Sequence, residues 1–234
     1  MDPKQQPLYL EHDGLSNALV NLKIKTQYNQ THLINKILEH ADKIKTSEPL
    51  QRLVRTQKQP ETNELKEIYF LANSVYRVLI NDDDISFNFV RGYPLWKNYM
   101  PFILSCLSIL DGDIQISEIS MRYISGFDNT SIFNQLDGEI KLNYLPIFDG
   151  SEFTFRYAVN DVIDGTRFQG FAIIKLTDSF VSPKGTTSIV DITVVGQNQN
   201  NVEALLSFLH KHERELFFRI FKKNFIDSLG AHYE

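Results

Sequence analysis

The sequence has little of what marks secreted, membrane-spanning or nucleic-acid-binding proteins. Its 234 residues include one cysteine, Cys106, so no disulfide can form within the chain, and we expect a reducing, cytoplasmic location. No apolar run approaches the roughly 20 residues that a membrane-spanning helix needs. The formal net charge of −5 disfavours non-specific attraction to nucleic acid and to anionic membranes. We therefore expect neither a membrane nor a nucleic-acid partner.

Familiar catalytic, metal-binding and nucleotide-binding motifs are missing as well, including GxGxxG, Walker A, GxSxG, CxxC and HExxH. His210 and Glu213 share a predicted helix face, but no third ligand has a suitable spacing. That face is therefore interpreted as solvated, with pairs such as Lys211 and Glu215. Cys106 lies on the apolar side of another predicted helix, which favours a buried structural thiol. We predict no catalytic residue, no metal ion and no cofactor.

What the sequence does contain is a series of short alternating segments followed by one long apolar stretch. Asp149-Gly150 and Asp164-Gly165 are typical of tight hairpin turns. A change of apolar phase between Ile116 and Ile119 predicts a β-bulge. Strands are predicted at 20–25, 68–72, 75–80, 85–90, 114–124, 140–145, 153–159, 168–176 and 188–195, and helices from Thr31, from Pro94 and over 202–229.

This order predicts an α+β fold. Consecutive hairpins favour a curved antiparallel sheet of about seven or eight strands. Three helices are too few to cover both faces of such a sheet, so we expect a helix-grip-like arrangement with the long C-terminal helix and two shorter helices on one face. Residues 1–234 are predicted to form a single domain. The polar segment 46–63, which contains Pro49 and Pro60, is predicted to be a loop and the best candidate for a mobile segment.

Arginines stand beside tyrosines in two of the predicted strands, as Arg122-Tyr123 and Arg156-Tyr157. If the tyrosines face the core, the arginines share the opposite face of the sheet. There they could converge on a small anionic ligand or on an acid of a partner, because guanidinium groups bind carboxylates and phosphates bidentately. The alternative is a solvated sheet face on which each arginine pairs with a local carboxylate.

Aromatic residues suggest a second kind of surface. The C-terminal helix has more apolar residues than one buried stripe needs, so it is either deeply buried or covered by a partner, which includes a second copy of the chain. Trp96, the one tryptophan, is predicted at the edge of the core. The candidate ligand- or partner-binding residues are Arg122, Tyr123, Arg156, Tyr157, Trp96, Phe218, Phe221 and Phe225.

Several short motifs give the chain a family resemblance. They are the strand 85–89, the Tyr-Pro-x-Trp helix start at 93–96, the Arg-Tyr-Ile segment at 122–124 and Leu209-His210 on the closing helix. From Leu15 to Leu229 the chain resembles a sporadically distributed bacterial family of uncharacterised proteins of about this length. Ser125 takes the place of the usual asparagine of that family. The resemblance implies no activity, and the patchy distribution of the family implies an accessory system.

Three functions are compatible with these patterns. The leading hypothesis is a non-enzymatic interaction protein, a homodimer or partner-binding protein of an accessory bacterial system that uses the aromatic surface of the C-terminal helix. The second is a small-ligand binder with a cavity between sheet and helix, because 17 Phe and 10 Tyr could line an apolar pocket. The third is an enzyme of unknown class. A flat apolar patch would favour the first, and a closed pocket with convergent polar groups the second. A cleft with a histidine or carboxylate bound to an arginine would favour the third.

Overall fold

The computed structural model shows a mixed α+β protein with a large curved antiparallel sheet and three helices of seven or more residues. It describes residues 7, 9–11, 14–58, 65–137, 152–163, 165–182, 185–197 and 201–233. The strands are β1 (Tyr9–Leu10), β2 (Leu15–Thr26), β3 (Gln51–Lys58), β4 (Leu65–Ala72), β5 (Tyr76–Ile80), β6 (Asp84–Phe89), β7 (Ile114–Asp128), β8 (Glu152–Ile163), β9 (Thr166–Ser182), β10 (Gly185–Gln197) and β11 (Ala231–His232). The helices are α1 (Gln30–Glu39), α2 (Trp96–Ile109), α3 (Val202–Ile220) and α4 (Lys223–Ser228).

The large sheet is assembled around its first long strand. Over the described residues its order is β3-β4-β5-β6-β2-β7-β10-β9-β8, and every pair is antiparallel. β2 therefore joins a four-stranded meander on one side to β7 and the β8–β10 meander on the other. The short strands β1 and β11 form a separate pair that brings the two ends of the described chain together.

One face of the sheet, called the inner face here, carries the hydrophobic core. Alternate residues such as Val20, Phe87, Met121 and Val194 are fully buried there. α3 packs across this face against β7 and β10, and α1 packs against β5 and α2. Gly196 allows the close approach of α3, because a Cβ at this position would lie 2.8 Å from Leu205 Cδ1.

The predicted bulge is confirmed. β2 and β7 change register between Lys23, which is opposite Glu118, and Ile24, which is opposite Ile116. Ser117 is therefore the extra residue on β7, and the buried phase changes across it. Gly165, with φ of 77°, supplies the positive φ that the β8–β9 turn requires. The predicted strand at 140–145 and the Asp149-Gly150 turn lie outside the described residues.

The segment 46–63 is not simply a loop. Residues 51–58 form the strand β3, which pairs with β4 over its whole length. Residues 51–56 of this strand are all exposed, Leu53 and Val54 among them, so neither of its faces is buried over this length. A strand at the end of a sheet needs only one row of hydrogen-bonding partners, and polar side chains suit it. Its sequence therefore lacks the alternation that reveals the inner strands. Residues 59–63 lie outside the described part of the chain.

The stretch from Val202 to Leu229 is not one continuous helix, contrary to the prediction. α3 ends at Ile220, and Phe221 is extended, with φ −107° and ψ 151°. Phe221 pairs with Leu136, and the Lys222 amide donates to the Gln135 carbonyl oxygen at 2.9 Å. Pairing with a segment far away in sequence thus replaces the helical hydrogen bonds, although the apolar period continues into α4. Within the described residues, no helix is long and apolar enough to cross a membrane.

Candidate functional site

A pocket of about 730 Å³ lies between the inner face of the sheet and α3. Four parts of the chain line it: the N-terminal residues Leu10 and Leu15, the start of α2, the strand β7 and one side of α3. Volumes of this size are typical of pockets that enclose small organic molecules. The residues of the second, third and fourth parts are Tyr93, Leu95, Trp96, Lys97, Tyr123, Ser125, His210, Glu213, Arg214, Phe217 and Phe218.

The local structure explains why polar side chains meet in this apolar place. Alternation along β7 turns Tyr123 and Ser125 to the inner face. On α3, the positions 210, 213, 214, 217 and 218 follow the i, i+3, i+4, i+7 and i+8 spacing of a single helix face. The first three of these positions are polar and the last two are phenylalanines, so the pocket-facing stripe is polar at one end and apolar at the other.

Three polar groups form a chain in the wall of the pocket. The Tyr93 and Tyr123 hydroxyls are 2.8 Å apart, and the Tyr123 hydroxyl lies 3.4 Å from Nδ1 of His210. The indole of Trp96 stacks on the His210 ring, with centroids 4.4 Å apart and planes at 21°. Contacts with one edge and with one face of the ring therefore fix the position of the imidazole.

This chain of three hydrogen-bonding side chains is uncharged near neutral pH. Burial, with a smaller contribution from the Arg214 charge, lowers the pKa of His210 to about 3. Burial is also the main reason why the pKa of Tyr123 lies well above its usual value, and Tyr93 and Glu213 add to the increase. This part of the pocket wall thus presents neutral donors and acceptors rather than ions.

Charged side chains surround this neutral chain. Glu213 is buried, with 5% of the residue exposed. Arg214 Nη2 donates to the Pro7 carbonyl oxygen at 2.6 Å, and its guanidinium lies 5.7 Å from the centroid of the Phe218 ring. Lys97 is exposed at the rim. The charges at the pocket therefore have both signs, and Arg214 ties the helix to the N-terminal residues.

Leu95 at the rim has an unusual backbone. It precedes α2 with φ 62° and ψ 145°, a region that residues with a side chain rarely adopt, and it makes no side-chain capping bond. Its side chain is 49% exposed although it lines the pocket. Backbone strain of this kind costs about 1–3 kcal/mol and is typical of ligand-binding segments.

Trp96, Tyr123 and Phe218 are the sequence-predicted site residues that the structure brings together at the pocket. Phe221 and Phe225 do not line it. They pack on each other, with centroids 5.0 Å apart, beneath α3 and α4 and are almost fully buried. These two residues are thus part of the core of this chain, which agrees with the alternative of a deeply buried helix, and they form no aromatic surface for a partner.

The predicted arginine pair shares a sheet face but does not converge. Arg122 is opposite Thr193, which is opposite Ile173, which in turn is opposite Arg156. Two strands therefore separate the arginines, and three strand spacings amount to about 14 Å. That distance is too long for one small anion to bridge.

Each arginine also has its own contact on the outer face of the sheet. Arg122 binds Asp191 bidentately, with Nη2 to Oδ2 at 2.6 Å and Nε to Oδ1 at 2.9 Å. The Arg156 guanidinium lies 4.1 Å from the centroid of the Phe171 ring. Tyr157 faces the other way and is 39% exposed near the end of the sheet. The expectation of a shared anion site between Arg122 and Arg156 was wrong, because local partners were available to both.

His210 and Glu213 were noticed in the sequence, but the interpretation of their face as solvated was wrong. Lys211 binds Asp161 on β8 at 2.6 Å instead of pairing with Glu215. The signal that could have found the site is the pair of polar residues at i and i+3 directly in line with Phe217. Tyr93 gave no signal beyond its place before a helix. Cys106 is buried as predicted. In the part of the chain that the structure describes, no three His, Cys, Asp or Glu side chains form a group that could hold a metal ion.

Comparison with known proteins gives no identification. No protein-family model matches the sequence, and no similar sequence was found among curated proteins. The resemblance to an uncharacterised bacterial family therefore stays a prediction.

Proposed function

We propose that the protein binds a small, mainly apolar molecule in the pocket between the sheet and α3, in a helix-grip-like arrangement and in a reducing, cytoplasmic setting. The observation that carries this proposal is a pocket of about 730 Å³ with apolar and aromatic walls and one chain of converging polar groups. Pockets with this combination are the usual sites of small-molecule binding.

The burial of the C-terminal phenylalanines makes this function a better match than the leading sequence hypothesis. Phe218, Phe221 and Phe225 are at most 7% exposed in a single chain. They therefore offer little area to a partner. Self-association or partner binding is a second candidate, which the exposed Leu53 and Val54 on β3 favour. Over the described residues β3 is the end strand of the sheet, and an end strand can pair with another chain. Sedimentation equilibrium of the wild type and of Val54→Lys tests that candidate. It predicts that the wild type forms a dimer and that Val54→Lys dimerises more weakly.

The main proposal is tested with the single tryptophan. Trp96 lines the pocket, so a molecule that enters should change its fluorescence and raise the melting temperature together. A ligand at a hundredfold excess over its Kd should stabilise the fold by about 2.7 kcal/mol. A panel of small cyclic hydrocarbons and their alcohols, ketones, acids and amines serves as the probe.

Two variants provide the controls. Ser125→Leu places a larger side chain in the pocket wall and should abolish both signals, whereas Tyr157→Phe lies outside the pocket and should retain them. Circular dichroism verifies that both variants fold. If acrylamide quenches Trp96 freely but no compound of the panel changes its fluorescence or the melting temperature, the proposal is wrong.

A further inference from the structure

The uncharged chain of Tyr93, Tyr123 and His210 points to the class of molecule that the pocket takes. We propose that the ligand is an apolar molecule with an uncharged oxygen group, a carbonyl or a hydroxyl, and that Nε2 of His210 binds this oxygen. The inference rests on the proposed function, because it concerns the same pocket.

The geometry leaves one polar atom of His210 for a ligand. Nδ1 faces the Tyr123 hydroxyl at 3.4 Å, and Trp96 covers one face of the ring. Nε2 is on the opposite edge of the imidazole, and His210 lines the pocket. Within the described part of the chain, no hydrogen bond is formed by Nε2, so a ligand in the pocket can supply its partner.

The proton positions along the chain decide what Nε2 can do, and there are two consistent arrangements. If Tyr93 donates to Tyr123 and Tyr123 donates to Nδ1, the neutral ring carries its proton on Nε2, which then donates. If Nδ1 donates to Tyr123 and Tyr123 donates to Tyr93, Nε2 is an acceptor. A carbonyl suits the first arrangement and a hydroxyl suits the second. Neither arrangement gives Nε2 a charge.

The charges around the pocket disfavour an ionic head group. The side chains of Lys97, Glu213 and Arg214 face the pocket, and the histidine itself is neutral because its pKa is about 3. A ligand carboxylate attracted by Arg214 or Lys97 would also lie close to the buried Glu213, and a ligand ammonium attracted by Glu213 would also meet Arg214 and Lys97. An ion would also lose its hydration in the apolar walls, which is costly without a dedicated partner. An uncharged oxygen avoids both penalties, and Ser125 adds one more neutral group to the same wall.

A series of five compounds with one rigid hydrocarbon body tests this class. The compounds are 1-ethyladamantane, 1-adamantyl methyl ketone, 1-(1-adamantyl)ethanol, 1-adamantanecarboxylate and 1-adamantylamine, and calorimetry with Trp96 fluorescence gives each Kd. One hydrogen bond to a neutral partner is expected to make the ketone or the alcohol bind about fivefold more tightly than the ethyl compound. An advantage of the ketone indicates that Nε2 donates, and an advantage of the alcohol alone indicates that it accepts. The carboxylate and the ammonium should bind more weakly than the better of these two.

Variants of His210 assign the effect to this residue. In His210→Phe the ketone or alcohol that binds best should lose its advantage while the ethyl compound still binds, and His210→Gln, which restores a neutral donor and acceptor, should recover part of it. The inference is overturned and the proposed function stands if the carboxylate or the amine binds most tightly, if neither oxygen compound binds more tightly than the ethyl compound, or if the advantage persists in His210→Phe. If none of the five binds and the wider panel also fails, both are overturned.

Discussion

Arg122 and Tyr123 are neighbours in β7, and they show how differently the two faces of the sheet treat polar groups. Arg122 faces outwards, stays nearly half exposed and binds Asp191 on the next strand. Tyr123 faces inwards, is almost completely buried and shares its hydroxyl with Tyr93 and His210. On the outer face, a charged side chain forms an ion pair that stays in contact with water. On the inner face, Tyr123 and its partners Tyr93 and His210 are neutral.

The difference follows from the cost of burying ions. An ion pair near water loses little hydration and gains little electrostatic energy. A charge in an apolar wall loses several kcal/mol of hydration free energy, which only full pairing can offset. Neutral hydroxyl and imidazole groups can be buried with one or two hydrogen bonds each. The inner face can therefore hold a polar site without losing its core, and this is the face that has the pocket.

The largest expected effect compares two phenylalanines on opposite faces. Phe208 on α3 is fully buried and stacks on Phe168, with centroids 5.6 Å apart, whereas Phe171 lies half-buried on the outer face under Arg156. Phe208→Ala should lower the free energy of unfolding by about 3–5 kcal/mol, the range for large-to-small core changes. Phe171→Ala should cost about 1 kcal/mol, because less apolar area leaves water on folding.

Urea denaturation of the two variants measures both values. The m-value should stay near that of the wild type, so that the change in midpoint reports stability alone. Equal losses in the two variants would contradict the view that one face alone carries the core.

A second effect concerns pH and the neutral chain of the inner face. The pKa of His210 is lowered by burial from 6.5 to about 3 in the folded protein. The unfolded chain therefore takes up the proton first, and the stability that the neutral ring contributes is complete above pH 6.5 and is lost as the pH falls towards 3. At pH 5 the loss from this group should be about 2 kcal/mol, at 1.36 kcal/mol per pH unit.

The comparison of wild type with His210→Phe isolates this contribution, because all other titrating groups are shared. The difference between the unfolding free energies at pH 7.5 and pH 5 should be about 2 kcal/mol smaller in the variant than in the wild type. His212→Phe is the matched variant on the same helix. Burial also lowers the pKa of His212, but Glu215 and Asp161 oppose that shift, so its effect should be smaller. An unchanged pH dependence in His210→Phe would show that burial does not lower the pKa of this ring in the folded protein.

Much of the fold was predictable, because it depends on local patterns. Alternation located the strands on both sides of the Gly165 turn, and the phase change at Ser117 revealed the bulge. Two features were not predictable, and each has a physical reason. The end strand β3 needs no buried face, so it has no apolar period. The break at Phe221 is caused by pairing with Leu136, a residue 85 positions away, which no local pattern records.

The site was predictable in part. An aromatic residue near a helix start and a tyrosine in an inner strand indicated Trp96 and Tyr123. The polar residues His210 and Glu213 were interpreted as solvated, because a helix pattern gives the relative directions of side chains but not which direction is covered. Only the position of α3 across β7 turns that polar stripe into a pocket wall. The arginine pair misled for the complementary reason, since the sequence shows no cross-strand neighbour such as Asp191.

The smallest expected effect lies on the outer face, at the arginine that the sequence made prominent. The Arg122–Asp191 pair is bidentate and raises the pKa of the guanidinium, with Asp191 as the main cause. Because the arginine is 46% exposed, solvent screens the pair, and Arg122→Ala should lower stability by no more than about 1 kcal/mol. A double-mutant cycle with Asp191→Ala gives the pair energy, which should shrink further in 1 M salt because the Debye length falls to about 3 Å.

Phosphate and sulfate should stabilise the wild type and Arg122→Ala equally, since Asp191 already occupies the guanidinium. A shift of the melting temperature with either anion that disappears in Arg122→Ala would return this residue to the list of ligand-binding positions and would break the division between a charged outer face and a binding inner face.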